Sequence, residues 1–262
     1  GKIRKIAIPG EQAISHITSS FQEFWNTRNN VLLLNKSSSD LQELPSKSVD
    51  FIITDPPYLS NVMYSELADF FYVWLQLALQ RKYKGFSSDS VRSSEEAIKD
   101  LSSESDATRY ESILTKVFIE CARILKDDGL LVFTFHHGSA EAWDALGESL
   151  RHAGFQVSTF YPIYSEMDVG VPILGKESVK LDAILVCEKW SGRPTEILTA
   201  DQLHSYVRKV CDSLLDLFPK EFDIHAKDKK SIAQAAWTTR FTRHLTDAKA
   251  SELDWDTIGN GI

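Results

Sequence analysis

Four consecutive residues, Asp55-Pro56-Pro57-Tyr58, carry the clearest chemical potential in the chain, directly after the apolar run 49–53. Each proline fixes its φ at about −65° and has no N–H, so its carbonyl is held in a set direction while its amide needs no partner. Asp55 adds a carboxylate beside that carbonyl, and Tyr58 offers a flat face on which a planar base can stack. This combination suits an exocyclic amino group, a poor nucleophile because its lone pair is delocalised into the ring. Two acceptors, the Asp55 carboxylate and the Pro56 carbonyl, can draw both amino hydrogens out of the base plane and leave a tetrahedral, nucleophilic nitrogen. Methyl transfer to that nitrogen then depends on in-line placement more than on acid–base help, although Asp55 can also accept the proton released. The bland alternative is a structural turn at a strand end.

Such a turn needs a sheet to hold it. Val31-Leu32-Leu33-Leu34 and residues 49–53 read as strands buried on two faces, as in a parallel sheet. Residues 11–28 space Ile14, Ile17, Phe21, Phe24 and Trp25 as an amphipathic helix with one buried face. Residues 64–79 are apolar over most of a helix surface, which implies deep packing or the lining of a substrate channel. From 85 to 109 the chain is rich in Ser, Asp and Glu and reads as a flexible insertion running over the surface. Residues 110–125 return to helical spacing, Lys126-Asp127-Asp128-Gly129 makes a turn, and 130–135 form a strand ending at His136-His137. A helix over 140–153, closed by Gly154, leads to strands at 155–160 and 181–189. Beyond 190 the pattern is mostly helical, with Leu203, Val207, Val210, Leu214, Leu215 and Leu217 along one face.

The expectation is an α/β fold with a mainly parallel sheet, organised as an N-terminal helix (1–30), a catalytic region (31–190) and a helical C-terminal appendage (191–262). Ligands on such sheets bind beyond the carboxyl ends of the strands. Three polar clusters fall there, at 35–39, 55–58 and 134–137, and their convergence would form one site.

The 262 residues, 43% of them hydrophobic, suffice for a sizeable core. A net charge of -8 argues against a simple basic nucleic-acid binder. Cys121, Cys187 and Cys211 sit in apolar segments without metal-ligand spacing and read as buried thiols, with neither disulfides nor zinc expected. No apolar run approaches the roughly 18 residues of a membrane helix, and a cytoplasmic protein is expected.

The stretch Val49-Asp50-Phe51-Ile52-Ile53-Thr54-Asp55-Pro56-Pro57-Tyr58 resembles the fourth motif of the amino-group DNA methyltransferases. Asp in first place is similar to the adenine-N6 members rather than the cytosine-N4 members. Tyr64-Ser65-Glu66-Leu67, Asp69-Phe70-Phe71-Tyr72-Val73-Trp74-Leu75 and Leu131-Val132-Phe133-Thr134-Phe135-His136-His137 resemble a group of large prokaryotic adenine-specific DNA methylases. The likeness covers roughly residues 31–190 and implies a Rossmann-like class I methyltransferase sheet, S-adenosylmethionine as cofactor and DNA as partner. It further implies a flipped base stacked on Tyr58, with its amino group held by Asp55 and Pro56 within the Asp55-Pro56-Pro57-Tyr58 turn. Ser37 and Ser38 occupy the place where the family contacts the cofactor's adenosine, and Asp55 also borders that site; an ordinary loop is the alternative for the serines. Tyr64, His136 and His137 are candidates to line the substrate pocket, with capping the other reading of the histidines.

One family element has no counterpart in this chain. The glycine-rich turn that seats the methyl donor is found neither before residue 31 nor in the tail. A partial sheet follows as an expectation, with the donor site on a missing half or a partner subunit, and an exposed sheet edge open to pairing or homodimerisation. Two other functions compete: methylation of a guanine N2 amino group in RNA, and a non-catalytic DNA-binding or scaffold subunit.

Overall fold

Alternation of apolar side chains builds the central sheet. The computed structural model describes residues 16–18, 20–26, 30–59, 62–93, 96–98, 106–164, 180–190, 192, 197–219, 224–244 and 249–255. Its elements are β1 (His16–Thr18), α1 (Phe21–Asn26), β2 (Asn30–Leu32), β3 (Val49–Thr54), α2 (Tyr64–Leu79), α3 (Asp106–Ile124), β4 (Leu125–Phe135), α4 (Ala140–His152), β5 (Phe155–Tyr164), β6 (Leu181–Lys189), α5 (Ala200–Leu215) and α6 (Ala226–Arg243). Short 3-10 turns lie at Lys84–Phe86 and Ala250–Glu252.

Four strands pair in the order β3-β4-β6-β5. β3 runs parallel to β4, with Thr54 opposite Phe133, while β6 is antiparallel to both β4 and β5. The sheet is therefore mixed rather than mainly parallel, in a mixed α/β fold. One face is dry: Leu131, Phe133 and Phe135 of β4, Ala183, Leu185 and Cys187 of β6, and Phe155 and Val157 of β5 are buried with Tyr110, Phe118, Trp143, Leu146 and Trp237 from the helices. The alternate row, Leu130, Val132, Ile184 and Val186, is only half-buried. This one-sided burial is the habit of antiparallel sheets. Burial also pushes the Cys121 and Cys211 thiols up to about 12, so they stay neutral.

Several expectations need correction. Lys126-Asp127-Asp128-Gly129 is not a turn between elements but an irregularity within β4, since the pairing steps from Val49–Leu125 to Phe51–Leu130. A Cβ at Gly129 would lie 2.8 Å from the Asp50 carbonyl and from Leu125, so only glycine fits this close approach. Among the described residues of 11–28, the chain forms β1 and the six-residue α1, which buries no side chain; 11–15 and 27–29 lie outside the described residues. β2 does not enter the main sheet, because its partner is β1, in parallel.

Of the segment 85–109, residues 94–95 and 99–105 lie outside the described residues, and the described part is tied down. Tyr72 and Gln76 donate to the Ser88 carbonyl, and Asp69 accepts from Ser90 and from the Val91 amide, which holds its carboxyl below the usual carboxylate range. Glu96 caps the Ser65 amide, and Arg109 donates to the Glu96 and Ile98 carbonyls.

α6 is no appendage. Residues 231–239 are all buried, and the helix packs on β5, β6, α4 and α5. Its threonines disguise it in the sequence: Thr238, Thr239 and Thr242 return their hydroxyl hydrogens to carbonyls of the preceding turn, and Thr242 also accepts from the Val157 amide. α5 lies over α6 through Leu203, Val207 and Cys211, whereas Leu217, expected on that face, is exposed.

The reverse holds for α2, expected to pack deeply or to line a substrate channel. Among its apolar residues only Tyr72 is buried, while Phe70, Phe71, Trp74 and Leu77 are 64–69% exposed. Phe51 and Ile53 of β3 are likewise exposed, so β3 is not buried on two faces. Among the described residues, no helix is long and apolar enough to cross a membrane.

Candidate active site

Parallel pairing brings the ends of β3 and β4 side by side, and the turn at 55–58 leaves from that corner. Asp55 Oδ1 accepts from the Thr134 hydroxyl at 2.5 Å and from the Tyr58 hydroxyl at 2.6 Å. The two hydroxyl oxygens are 2.8 Å apart, which closes a triangle. With one hydrogen on each hydroxyl, both can be spent on the carboxylate. Oδ2 has no partner among the described residues and remains available as an acceptor.

The two proline carbonyls have different fates. Pro57 accepts from the Tyr110 hydroxyl of α3 at 2.7 Å, whereas no described residue donates to the Pro56 carbonyl. Tyr110 is fully buried and also meets the Leu59 backbone, where Leu59, itself buried, adopts a left-handed φ of 46°. A leucine in that region is strained by about 1–3 kcal/mol, so the turn must be held by its surroundings. Tyr110 supplies the hold. Tyr110→Phe leaves the Pro57 carbonyl without its donor and should cost about 1–3 kcal/mol of stability, measured by urea unfolding. A variant as stable as the parent would deny Tyr110 this role.

Both phenols resist ionisation. Tyr58 is pushed well above its ordinary value of 10 by burial and then by the Asp55 carboxylate, and Tyr110 by burial. The folded state therefore holds these protons more tightly than the unfolded chain. The associated stability is intact below about pH 10 and falls as the pH rises beyond it. The urea midpoint should drop above about pH 10, and drop less steeply in Tyr110→Phe; equal slopes would contradict the assignment.

Around the Tyr58 ring, Phe135 and His136 stand edge-on, with centroids at 5.2 and 4.9 Å. His136 Nδ1 faces the Asp182 carboxylate at the start of β6, both atoms being shut off from solvent. His137 is turned to a different task. Its Nδ1 accepts from the Ser139 amide at 3.0 Å and its carbonyl from the Trp143 indole, so it fastens the start of α4. The histidine pair thus divides into one at the site and one cap.

Tyr64, the first residue of α2, is half-exposed; burial first and the Asp55 charge second raise its phenol, which places it within the field of that carboxylate. Ser37 and Ser38 do not join the cluster through any described contact. Ser37 bonds to Ser39, Lys36 pairs with Glu43, and the loop is tied by the Leu41 amide to Glu120 and by Arg123 to the Leu41 and Leu44 carbonyls. Those anchors lie on the last turns of α3, next to the start of β4 and away from its Thr134 end.

Thr134, Tyr110 and Asp182 carry roles that the sequence did not assign. Thr134 stood within a polar cluster, and Asp182 interrupts the apolar run of residues 181–187, which was a usable signal. Tyr110 looked like any core residue of a helix. Among the described residues, no group of three or more His, Cys, Asp or Glu side chains is arranged to hold a metal.

No family model matches the chain, and no curated relative matches it. Among solved structures, a selenomethionine derivative of a protein from Thermus thermophilus, assigned as a DNA modification methylase, aligns over 79% of this chain with 16% identity and a TM-score of 0.29. The chain spans 60% of the length of that protein. A likeness at that level carries no weight for function.

Proposed function

We propose that this chain is the amino-group-binding part of an S-adenosylmethionine-dependent methyltransferase acting on adenine N6 in DNA. One observation supports this above the rest: no described residue donates to Asp55 Oδ2 or to the carbonyl of the buried Pro56, while Oδ1 and the Pro57 carbonyl are engaged by the protein. A flipped adenine would place its two amino hydrogens on that pair and its ring on Tyr58. The fixed prolines and the Thr134 and Tyr110 hydroxyls pre-position the acceptors, so little reorganisation remains for the reaction itself.

S-adenosylmethionine supplies an electrophilic methyl group on a sulfonium. The described residues do not fit its binding: β2 stands outside the main sheet, and the loop carrying Ser37 and Ser38 is fastened to α3. We assign the donor site to another portion of the protein or to a partner subunit. The uncovered apolar residues of β3 and α2, beside the site, support this division. The same observation favours a second reading, a DNA-binding subunit without catalysis.

Calorimetry separates the two. S-adenosylmethionine should bind weakly to this chain alone and tightly to the full-length or co-expressed protein, which should then methylate unmethylated DNA. Tight donor binding by the isolated chain would refute the division of the site. Failure of the complete protein to methylate DNA would favour the scaffold.

A further inference from the structure

At the end of the sheet away from the turn at 55–58, the last residues of α4 and α6 meet the start of β5 and the residue that follows β6. Trp190 lies beyond Glu188, which pairs with Leu130, whereas Thr134 and Phe135 pair with Ile184 and Ala183. The cleft at this end has a volume of about 220 Å³. Arg151, Phe155, Trp190 and Arg243 line it, with Glu148 as its one carboxylate among the described residues. Both guanidiniums are fixed in place, and neither by an acid. Arg243 donates through Nε to the Val157 carbonyl at 2.9 Å and through Nη2 to the Ser158 carbonyl at 2.8 Å. A guanidinium is planar and carries five N–H bonds, so this grip on β5 leaves three of them unused. Arg151 lies over the Phe241 ring, 4.6 Å from its centroid, and its N–H bonds have no partner among the described residues. Basic residues at helix ends usually answer the last carbonyls of their own helix. These two are turned instead onto a strand and onto the ring of a neighbouring helix or turn, in a chain with 37 acidic residues against 29 lysines and arginines. Beside them, Phe155 is buried, and Trp190 is 43% exposed with its amide tied to the Gly154 carbonyl.

We propose that this cleft binds a nucleotide, its phosphate held by Arg151 and Arg243 and its base against Trp190. A carboxylate has two oxygens, which one guanidinium satisfies, whereas a phosphate brings further oxygens and a second charge that two guanidiniums share. Glu148 offsets one of the two positive charges and leaves the pair with a positive balance. The half-exposed indole offers the flat apolar face that a planar base needs. Two sources share this chemistry, a free mononucleotide and the 5′-phosphate end of a single strand. The cleft is separate from the turn at 55–58, so the inference stands apart from the amino-methylation reading.

Calorimetry and nitrogen-15 NMR of the tryptophan-labelled chain, with the Trp190 indole assigned by Trp190→Phe, test the proposal. Adenosine 5′-monophosphate should bind and move the Trp190 signal. Adenosine, which lacks the phosphate, and acetate should bind at least about tenfold more weakly. Arg151→Gln should weaken the mononucleotide about tenfold or more. This variant removes no hydrogen bond within the chain, and urea unfolding verifies that its fold is kept. Arg243→Gln should weaken binding to the same degree and also loosen β5. Asp55→Ala should leave binding unchanged. A 5′-phosphorylated oligonucleotide that displaces the mononucleotide assigns the strand end as the source, and one that does not assigns the free nucleotide. The proposal is overturned by no binding, by adenosine or acetate binding as well as the mononucleotide, or by parental affinity in Arg151→Gln. Binding that Asp55→Ala abolishes would place the nucleotide at the turn and overturn it too.

Discussion

Asp55→Ala should lower methyl transfer by the complete protein about 10²–10³-fold while leaving the fold intact, the scale seen when one preorganised electrostatic contact is removed. Asp55 is exposed and lies beyond the last residue of β3, so its truncation opens no core cavity. What is lost is local. The amino group forfeits one of its two acceptors, and the Thr134 and Tyr58 hydroxyls lose the oxygen on which both converge. Tyr58 is then free to leave the position in which it would stack on the base. Asp55→Asn should retain more activity, since the amide can turn its oxygen to the substrate and donate its N–H to Thr134 or Tyr58. Circular dichroism and urea unfolding check that the fold survives, and initial rates on unmethylated DNA report the loss. Equal rates in the parent and in Asp55→Ala would remove the turn from the chemistry.

The second large effect concerns stability. Trp237→Ala should destabilise the chain by about 3–5 kcal/mol, the usual cost of deleting a large buried aromatic. Trp237 is fully buried, stacks on Phe241 at 4.4 Å, and lies with it over Gly147 of α4. Its indole N–H has no partner among the described residues, so part of the loss is offset when that unsatisfied donor goes. Leu217→Ala, at a position 78% exposed, should move stability by no more than about 0.5 kcal/mol. Urea unfolding of both variants tests whether α6 is part of the core. A Trp237→Ala chain that keeps the parental midpoint would restore the view of residues 191–262 as an appendage.

How far the sequence could be read depended on which forces each residue answers to. α4 was legible to within a residue at its ends because its stop is local: Gly154 takes a left-handed φ of 78° directly after it. β6 was legible as an apolar run, but its direction was not. Strand orientation is set by neighbours distant in sequence, and the pairing of Leu185 with both Phe133 and Phe160 leaves no local trace. α6 was misjudged because Ser231, Gln234, Thr238 and Thr239 look like a solvated face, although all are buried. α2 was misjudged in the opposite sense. An all-round apolar helix signals burial, but the signal does not say that the covering partner belongs to the same described segment. At the site, the Asp55-Pro56-Pro57-Tyr58 turn was plain from residue types alone. Thr134 and Tyr110, which divide its acceptors into engaged and open ones, come from elements more than 50 residues away, at separations of 79 from Asp55 and 53 from Pro57.

The central claim, that the turn presents an amino group of a base for methylation, is tested most directly by the product. Unmethylated DNA would be incubated with the complete protein and methyl-labelled S-adenosylmethionine, digested to nucleosides and resolved by mass spectrometry, with RNA treated in parallel. The expected result is label in N6-methyladenine from DNA, absent when Asp55 is alanine. Label on a ring carbon, label in RNA guanine, or N6-methyladenine formed equally well without the Asp55 carboxylate would contradict it.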